Sequence, residues 1–424
     1  MERVYIADCS RYDARAVEAG IRAASEALGI TLPQGQPVVL HPACPWAHPR
    51  FAPLAFTNPA VIEGAALALM GNTLTMATNS LPGFPTRYSY RKAGYVDLAH
   101  RLGARLVAID EAPTQTVQLR AESVVDKEAA LPEIALQAGF TVALPKLTGS
   151  TFVSFAGAIR HHQSLLQDDA QIREHHRLPT KMVDLLEAVP PDLIVVDAIT
   201  ATHKGGELSG LPVELGILII GTNSVAVDAV CAVAYGFDPA GIEYLQLAAE
   251  RGYGSIDPAQ IQVLGDLTLD VVKERAKRVE HVDPYPDHYP LPPQVKVMRS
   301  DKSGVAGTCG GLTEVFLILE HGGISLQKAR ESVIVVGKVD NVPPGKSETA
   351  TIIFLDDTSR AEYRGYSRVV RLRGRYVPLS TLLNDVPYAM KVSNLRNELG
   401  GEMVMASFSS NIARLLCRLT GGAG

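Results

Sequence analysis

Seven short, near-continuous apolar runs punctuate the first 220 residues, and longer segments of helical period lie between most of them. They are Val4–Ala7, Val38–Leu40, Leu74–Thr78, Leu106–Ile109, Thr141–Leu144, Leu193–Val196 and Ile217–Ile220. A strand that is apolar on both faces must be covered on both, so this rhythm predicts an α/β protein whose mostly parallel sheet has helices on either side. Helices are expected over Ala14–Leu28, Pro59–Met70, Thr180–Val189, Ser224–Tyr235 and Leu267–Val279. The second has Asn58 placed to cap it and Pro59 at its first position.

The rhythm stops at residues 281–293, HVDPYPDHYPLPP, where five prolines in thirteen residues can continue neither a helix nor a central strand. This predicts a semi-rigid linker between an α/β domain over 1–280 and a smaller α/β unit over 294–424. Within the latter, Gly310–Glu320, Val333–Val336, Thr351–Leu355, Val369–Leu372 and Ala406–Leu419 are its candidate elements.

Composition narrows the function classes. The net charge is −5 and only 20% of residues are charged, without a block of one sign, so the footprint of a nucleic-acid binder is missing. No stretch approaches the roughly 20 apolar residues of a membrane-spanning helix, and the start of the chain lacks the pattern of a secretory signal. Five scattered cysteines with no C-x-x-C pair argue against a disulfide framework. A cytoplasmic protein without nucleic-acid or membrane partners is expected; oligomeric state is left open.

The middle of the chain has a distinctive order: Pro191-Asp192-Leu193-Ile194-Val195-Val196-Asp197-Ala198-Ile199, then Gly205-Gly206, then Leu218-Ile219-Ile220-Gly221-Thr222-Asn223-Ser224-Val225-Ala226-Val227-Asp228. With Thr57-Asn58-Pro59 and Leu144-Pro145-Lys146-Leu147 upstream, and Gly236-Phe237-Asp238-Pro239 and Gly252-Tyr253-Gly254 downstream, it resembles the bacterial and archaeal family called domain of unknown function 362, over roughly residues 1–265. Members are often associated with iron–sulfur clusters. Here only Cys309 and Cys417 follow the linker, whereas a cubane needs about four thiolates, so an intrinsic cluster is not expected. Where relatives show a lysine in a Gly-Ala-Ile-Lys-Asn-like segment, this chain has Arg160.

Ligands of open α/β sheets bind beyond the carboxyl ends of the strands, which singles out the polar residues that follow them. Lys146 and Arg160 are the candidate anion-binding cations, with Lys204 and Asn223 as further substrate contacts. Asp197, at the end of a very apolar strand, is the candidate catalytic carboxylate, with His176 or His203 as its proton-transfer partner. For Asp228, within an apolar helical run, a structural hydrogen bond is favoured. The proline-rich loop carrying His41, Cys44 and His48 has two imidazoles and a thiol within eight residues, a spacing that suits a divalent metal such as zinc; the cofactor is otherwise unknown. In His161-His162 and His175-His176, consecutive side chains on a helix diverge by about 100°, so at most one of each pair should face a shared site.

These residues together lead to an enzyme of small-molecule metabolism that uses acid–base chemistry on an anionic substrate, as isomerase, lyase or hydrolase. A metal- or iron–sulfur-associated redox protein and a non-catalytic ligand-binding module are the alternatives.

Overall fold

Caps and turns decide where the elements of the larger domain begin. Asp13 accepts a hydrogen bond from Ala16 N and starts helix α1 (Ala14–Leu28), which Gly29 ends in the left-handed conformation at φ 72°. Asn58 does the same through Ala60 N for α2 (Pro59–Ala68). In the computed structural model, which describes residues 1–420 except 121, 122, 124, 187 and 301–305, both helices cover one face of a large sheet. Further helices cover the other face, among them the one-turn α3 (Ala158–His161) and α4 (Ser224–Ala234).

The sheet has eight strands: β1 (Glu2–Asp8), β2 (Pro37–Pro42), β3 (Thr73–Thr78), β4 (Arg105–Ala108), β5 (Phe140–Leu144), β6 (Leu193–His203), β7 (Leu211–Gly221) and β8 (Ile261–Gly265). They lie in the order β8-β1-β7-β6-β5-β2-β3-β4. Each neighbouring pair is parallel except those involving β7, which runs against both β1 and β6. That exception follows from chain length. Only Lys204–Gly210 separates β6 from β7, enough for a hairpin and too little for the crossover of a dozen or more residues that a parallel pair requires. β6 and β7 are also longer than their apolar centres, at eleven residues each, and carry the hairpin out beyond the sheet.

After the proline-rich stretch, β9 (Val295–Arg299), β10 (Ser332–Val336), β11 (Thr351–Phe354) and β12 (Arg368–Arg371) form a separate four-stranded parallel sheet. Helix α5 (Ala306–His321) packs on it, and α6 (Leu395–Thr420), broken at Gly400 (φ 57°, ψ −146°), closes the chain. One buried apolar cluster spans the two units. Trp46, Phe51, Phe84 and Tyr88 of the larger domain lie in the same buried cluster as Leu312, Phe316, Leu319 and Leu383 of the smaller unit. No described helix is long and apolar enough to cross a membrane.

Candidate functional site

Where β5 and β6 leave the sheet, Lys146 and Asp197 form a buried ion pair with Nζ 3.0 Å from Oδ2. The Tyr12 hydroxyl accepts from Lys146 Nζ at 2.7 Å and donates to Asp197 Oδ1 at 3.0 Å. Asn58 N donates to Oδ2 at 3.0 Å. Backbone bonds between Leu147 N and Asp197 O, and between Asp197 N and Pro145 O, run through the same point. Burial lowers the Lys146 pKa despite the attraction of Asp197, and raises that of Tyr12, with the Asp197 charge adding to the rise. The two predicted residues are thus brought together, but as each other's counter-ion.

Arg160 lies elsewhere, at the seam between the two units. The buried Asp228 of α4 accepts from Ala158 N at 2.6 Å and Ile159 N at 2.9 Å, capping α3 and aiming the side chain two residues on. This is the structural role expected of it. Gly157 is needed for the close approach, since a Cβ there would stand 2.3 Å from Asp228 Oδ1. Burial pushes the Asp228 carboxyl up to about 7, against the lowering effect of the two amides. Arg160 is 5% exposed. Its Nη1 donates to Gln163 Oε1 at 3.0 Å and its Nη2 to Glu207 Oε2 at 3.2 Å.

Beside it is a cavity of about 20 Å³, room for a water-sized occupant, lined among others by Arg160, Gln163, Gln171, His175, Phe152 and Tyr376. Arg160 Nε, Gln163 Nε2 and His175 Nδ1 are buried there with no hydrogen-bond partner among the described residues. The His175 ring stacks on Tyr376 of the smaller unit at 3.8 Å between centroids and meets the edge of Phe152 at 5.2 Å. Behind this layer is Lys181, fully buried, its ammonium held by the backbone carbonyls of Ala170, Gln171 and Arg173. Burial lowers its pKa to about 8. Arg160 is paired with Glu207, whereas the Lys181 ammonium has Asp126 and Glu174 as its acidic neighbours and Arg160 and Arg173 as its basic ones. Burial, then the charges of Arg160 and Lys181, hold His175 well below the usual imidazole range, so its ring is neutral at physiological pH.

The remaining candidates have other surroundings. His176, the outward member of its pair, is 3.4 Å from Glu174. Lys204 is exposed and bridges to Glu280 at 2.8 Å, while His203 Nδ1 accepts from Glu280 N at 3.3 Å. Asn223 caps α4 through Val225 N and Ala226 N. His41 bonds Ser164 through Nε2 at 2.8 Å and meets the His161 ring at a tilt, 4.1 Å between centroids. Cys44 is buried, which raises its thiol pKa. His48 Nδ1 accepts from Arg50 N and Phe51 N, and the ring stacks on Trp46. The spacing of His41, Cys44 and His48 therefore does not become a ligand set, and no group of three or more His, Cys, Asp or Glu side chains able to hold a metal occurs among the described residues.

Sequence reasoning named Arg160 and, of the His175-His176 pair, chose His176 where the chamber is lined by His175; it did not name Gln163 or Tyr376. Gln163 and His175 sit on single turns of helix too short to show a period, and Tyr376 comes from the other unit.

Comparison with curated proteins finds no match. Among solved structures, the lactate racemase apoprotein of Thermoanaerobacterium thermosaccharolyticum aligns with TM-score 0.33 and 11% identity, covering 67% of this chain and 93% of its own. A Thermotoga maritima protein from a structural genomics programme aligns with TM-score 0.34 and 10% identity, covering 76% of this chain and 70% of its own. At such scores the chemistry has to be argued from the residues of this chain. The family comparison is more direct. Residues 38–233 match the model of the family described as domain of unknown function (DUF362).

Proposed function

We propose that this protein is a cytoplasmic enzyme of small-molecule metabolism in which the Arg160 chamber, sized for a single water or oxygen atom, takes one oxygen of a small anionic substrate whose remainder enters as the seam opens, and neutral His175 moves a proton. The observation that carries this reading is the set of three unpartnered polar atoms, Arg160 Nε, Gln163 Nε2 and His175 Nδ1, around one cavity at the seam of two units. Buried polar groups are almost always satisfied, and three orphans facing one space ask for a shared partner. A carboxylate or phosphate oxygen suits the two N–H donors, and a neutral imidazole nitrogen can take or return a proton. Arg160 is the binding residue, His175 the acid–base residue, and Tyr376 a positioning residue that fixes the imidazole plane by stacking. Lys146, Asp197 and Tyr12 form a buried network at the strand ends, apart from this chamber. Isomerisation, elimination and hydrolysis all draw on this pair of roles.

Binding of formate, acetate, pyruvate and inorganic phosphate, followed by calorimetry and thermal shift, tests the site. At least one of them should raise the melting temperature of the wild type, and Arg160→Lys, which keeps the charge but loses the fork, should weaken its binding at least tenfold. His175→Asn should keep the binding but lose exchange of carbon-bound hydrogen in deuterated water. No shift with any of the anions at millimolar concentration, or unchanged binding by Arg160→Lys, would refute the reading.

A further inference from the structure

Helix α6 turns its two faces to very different surroundings. Its inner face docks on the larger domain: Arg414 Nη2 reaches Asp110 Oδ2 at 2.6 Å and Asp168 Oδ2 at 3.1 Å, Ser410 Oγ donates to Glu111 Oε1 at 2.8 Å, and Glu402 pairs with Lys92 at 2.8 Å. The outer face is apolar and exposed. Met405 is 66% exposed, Phe408 62%, Ile412 43% and Leu415 57%, with Val404 and Leu416 beside them.

From Met405 to Leu415 these residues recur at spacings of three, four and three. That is the interval of a helix–helix seam, in which side chains of one helix fit between those of its partner. We propose that this face is the interface of a homodimer, with the outer seam of α6 packed against the same seam of a second copy about a two-fold axis.

Three observations favour a second copy. A two-fold axis places a row of side chains against itself, so the surface must be free of like charge, and residues 403–413 contain no charged side chain. The six exposed apolar side chains present about 500 Å² per copy, so a pair buries about 1,000 Å², which reaches the threshold for a specific interface. Beside the seam is a groove of about 670 Å³ between α6 and the edge strand β4, of mixed lining that includes Leu106, Ile134 and Leu416 together with Arg87, Glu111 and Glu133. A partner's side chains can enter that groove and add to the buried area. A membrane surface fits less well, because interfacial helices turn a basic face to water, whereas here the polar face is bound to the protein's own carboxylates.

The proposal is independent of the Arg160 chamber. Sedimentation velocity and light scattering of the full chain from 1 to 100 µM test it, with Phe408→Glu and Ile412→Glu as variants. Both substitutions fall on exposed positions and should leave the circular dichroism of the protomer unchanged. The wild type is expected to be a dimer at 10 µM, and each variant to weaken dimerisation at least 100-fold. A wild type that stays monomeric at 100 µM overturns the proposal, as does a dimer that persists in both variants. Flotation of a monomeric wild type with phosphatidylserine vesicles would assign the face to a membrane instead and overturn it equally.

Discussion

Glu314 shows how one buried carboxylate couples the two units. It projects from α5 and accepts from Leu208 N at 2.8 Å, Ser209 N at 3.0 Å and Ser209 Oγ at 2.9 Å, so the hairpin loop after β6 is tied to the smaller unit. Gly206 is required beside it, because a Cβ there would stand 2.0 Å from Glu314 Oε2. Burial raises its pKa from 4.5 to about 6, against the three hydrogen bonds. The folded state therefore binds more protons than the unfolded one between pH 4.5 and 6, and this residue's contribution to stability falls as pH rises through that window. Glu314→Gln keeps an oxygen for the two amides and offers an N–H to Ser209 Oγ, while removing the titration. Its melting temperature relative to wild type should rise between pH 4.5 and 7, by the equivalent of at most about 2 kcal/mol. An equal pH slope in both proteins would show that the carboxylate does not titrate there. Nothing in the sequence marks Glu314, because its partners are loop amides about a hundred residues away. Lys146 and Asp197 are the converse case. Their chemistry was readable from strand ends, but not that each would neutralise the other.

At the scale of elements, α5 can reach the larger domain only because it lacks side chains where it crosses the 149–154 strap. A Cβ at Gly310 would lie 2.0 Å from Thr151 O and 2.8 Å from Thr151 C, both backbone atoms that cannot swing aside. Gly310→Ala should therefore force the helix off the strap and cost about 1–3 kcal/mol, the range for overpacking a tight contact. Hydrogen exchange should rise in the strap and in α5 together; unchanged exchange in both would mean that the crossing tolerates the methyl group. The helices and strands themselves were largely legible. Ala14–Leu28 has a strong apolar stripe and caps at both ends, and its predicted and observed bounds coincide. The parallel strands were visible as doubly buried apolar runs. β8 and β9 escaped notice because their apolar residues alternate with polar ones, Ile261-Gln262-Val263 and Val295-Lys296-Val297, and so make no continuous apolar run. The reversed direction of β7 was likewise missed, although the short loop before it carried the signal. Arg160 was singled out through its neighbours, but the cavity beside it was not, since a cavity lined by two units leaves no local pattern in either.

For the whole molecule, the proline-rich stretch at 281–293 suggests two bodies on a tether, whereas the packing joins them. Trp46, the sole tryptophan, is fully buried, with its ring 4.7 Å from Phe84, in the cluster that also takes in Leu312 and Phe316 of α5. Removing the smaller unit would expose that cluster to water, and α6, at the far end of the chain, clamps the larger domain again through Arg414. The largest buried cluster of the smaller unit is shared with the larger domain, so heat or denaturant should unfold both in one transition. The position of Trp46 makes this easy to test, because its fluorescence reports on the seam while far-ultraviolet circular dichroism reports on the whole. The two curves should coincide in guanidinium. Fluorescence changing at lower denaturant would mean that the units separate before they unfold, and that the seam is a docking contact. Should the curves coincide, Phe84→Ala, which keeps the tryptophan as the probe, should lower the common midpoint by the equivalent of about 3–5 kcal/mol, the cost of deleting a large aromatic from a packed core. A shift seen by only one of the two probes would divide the core where the packing joins it.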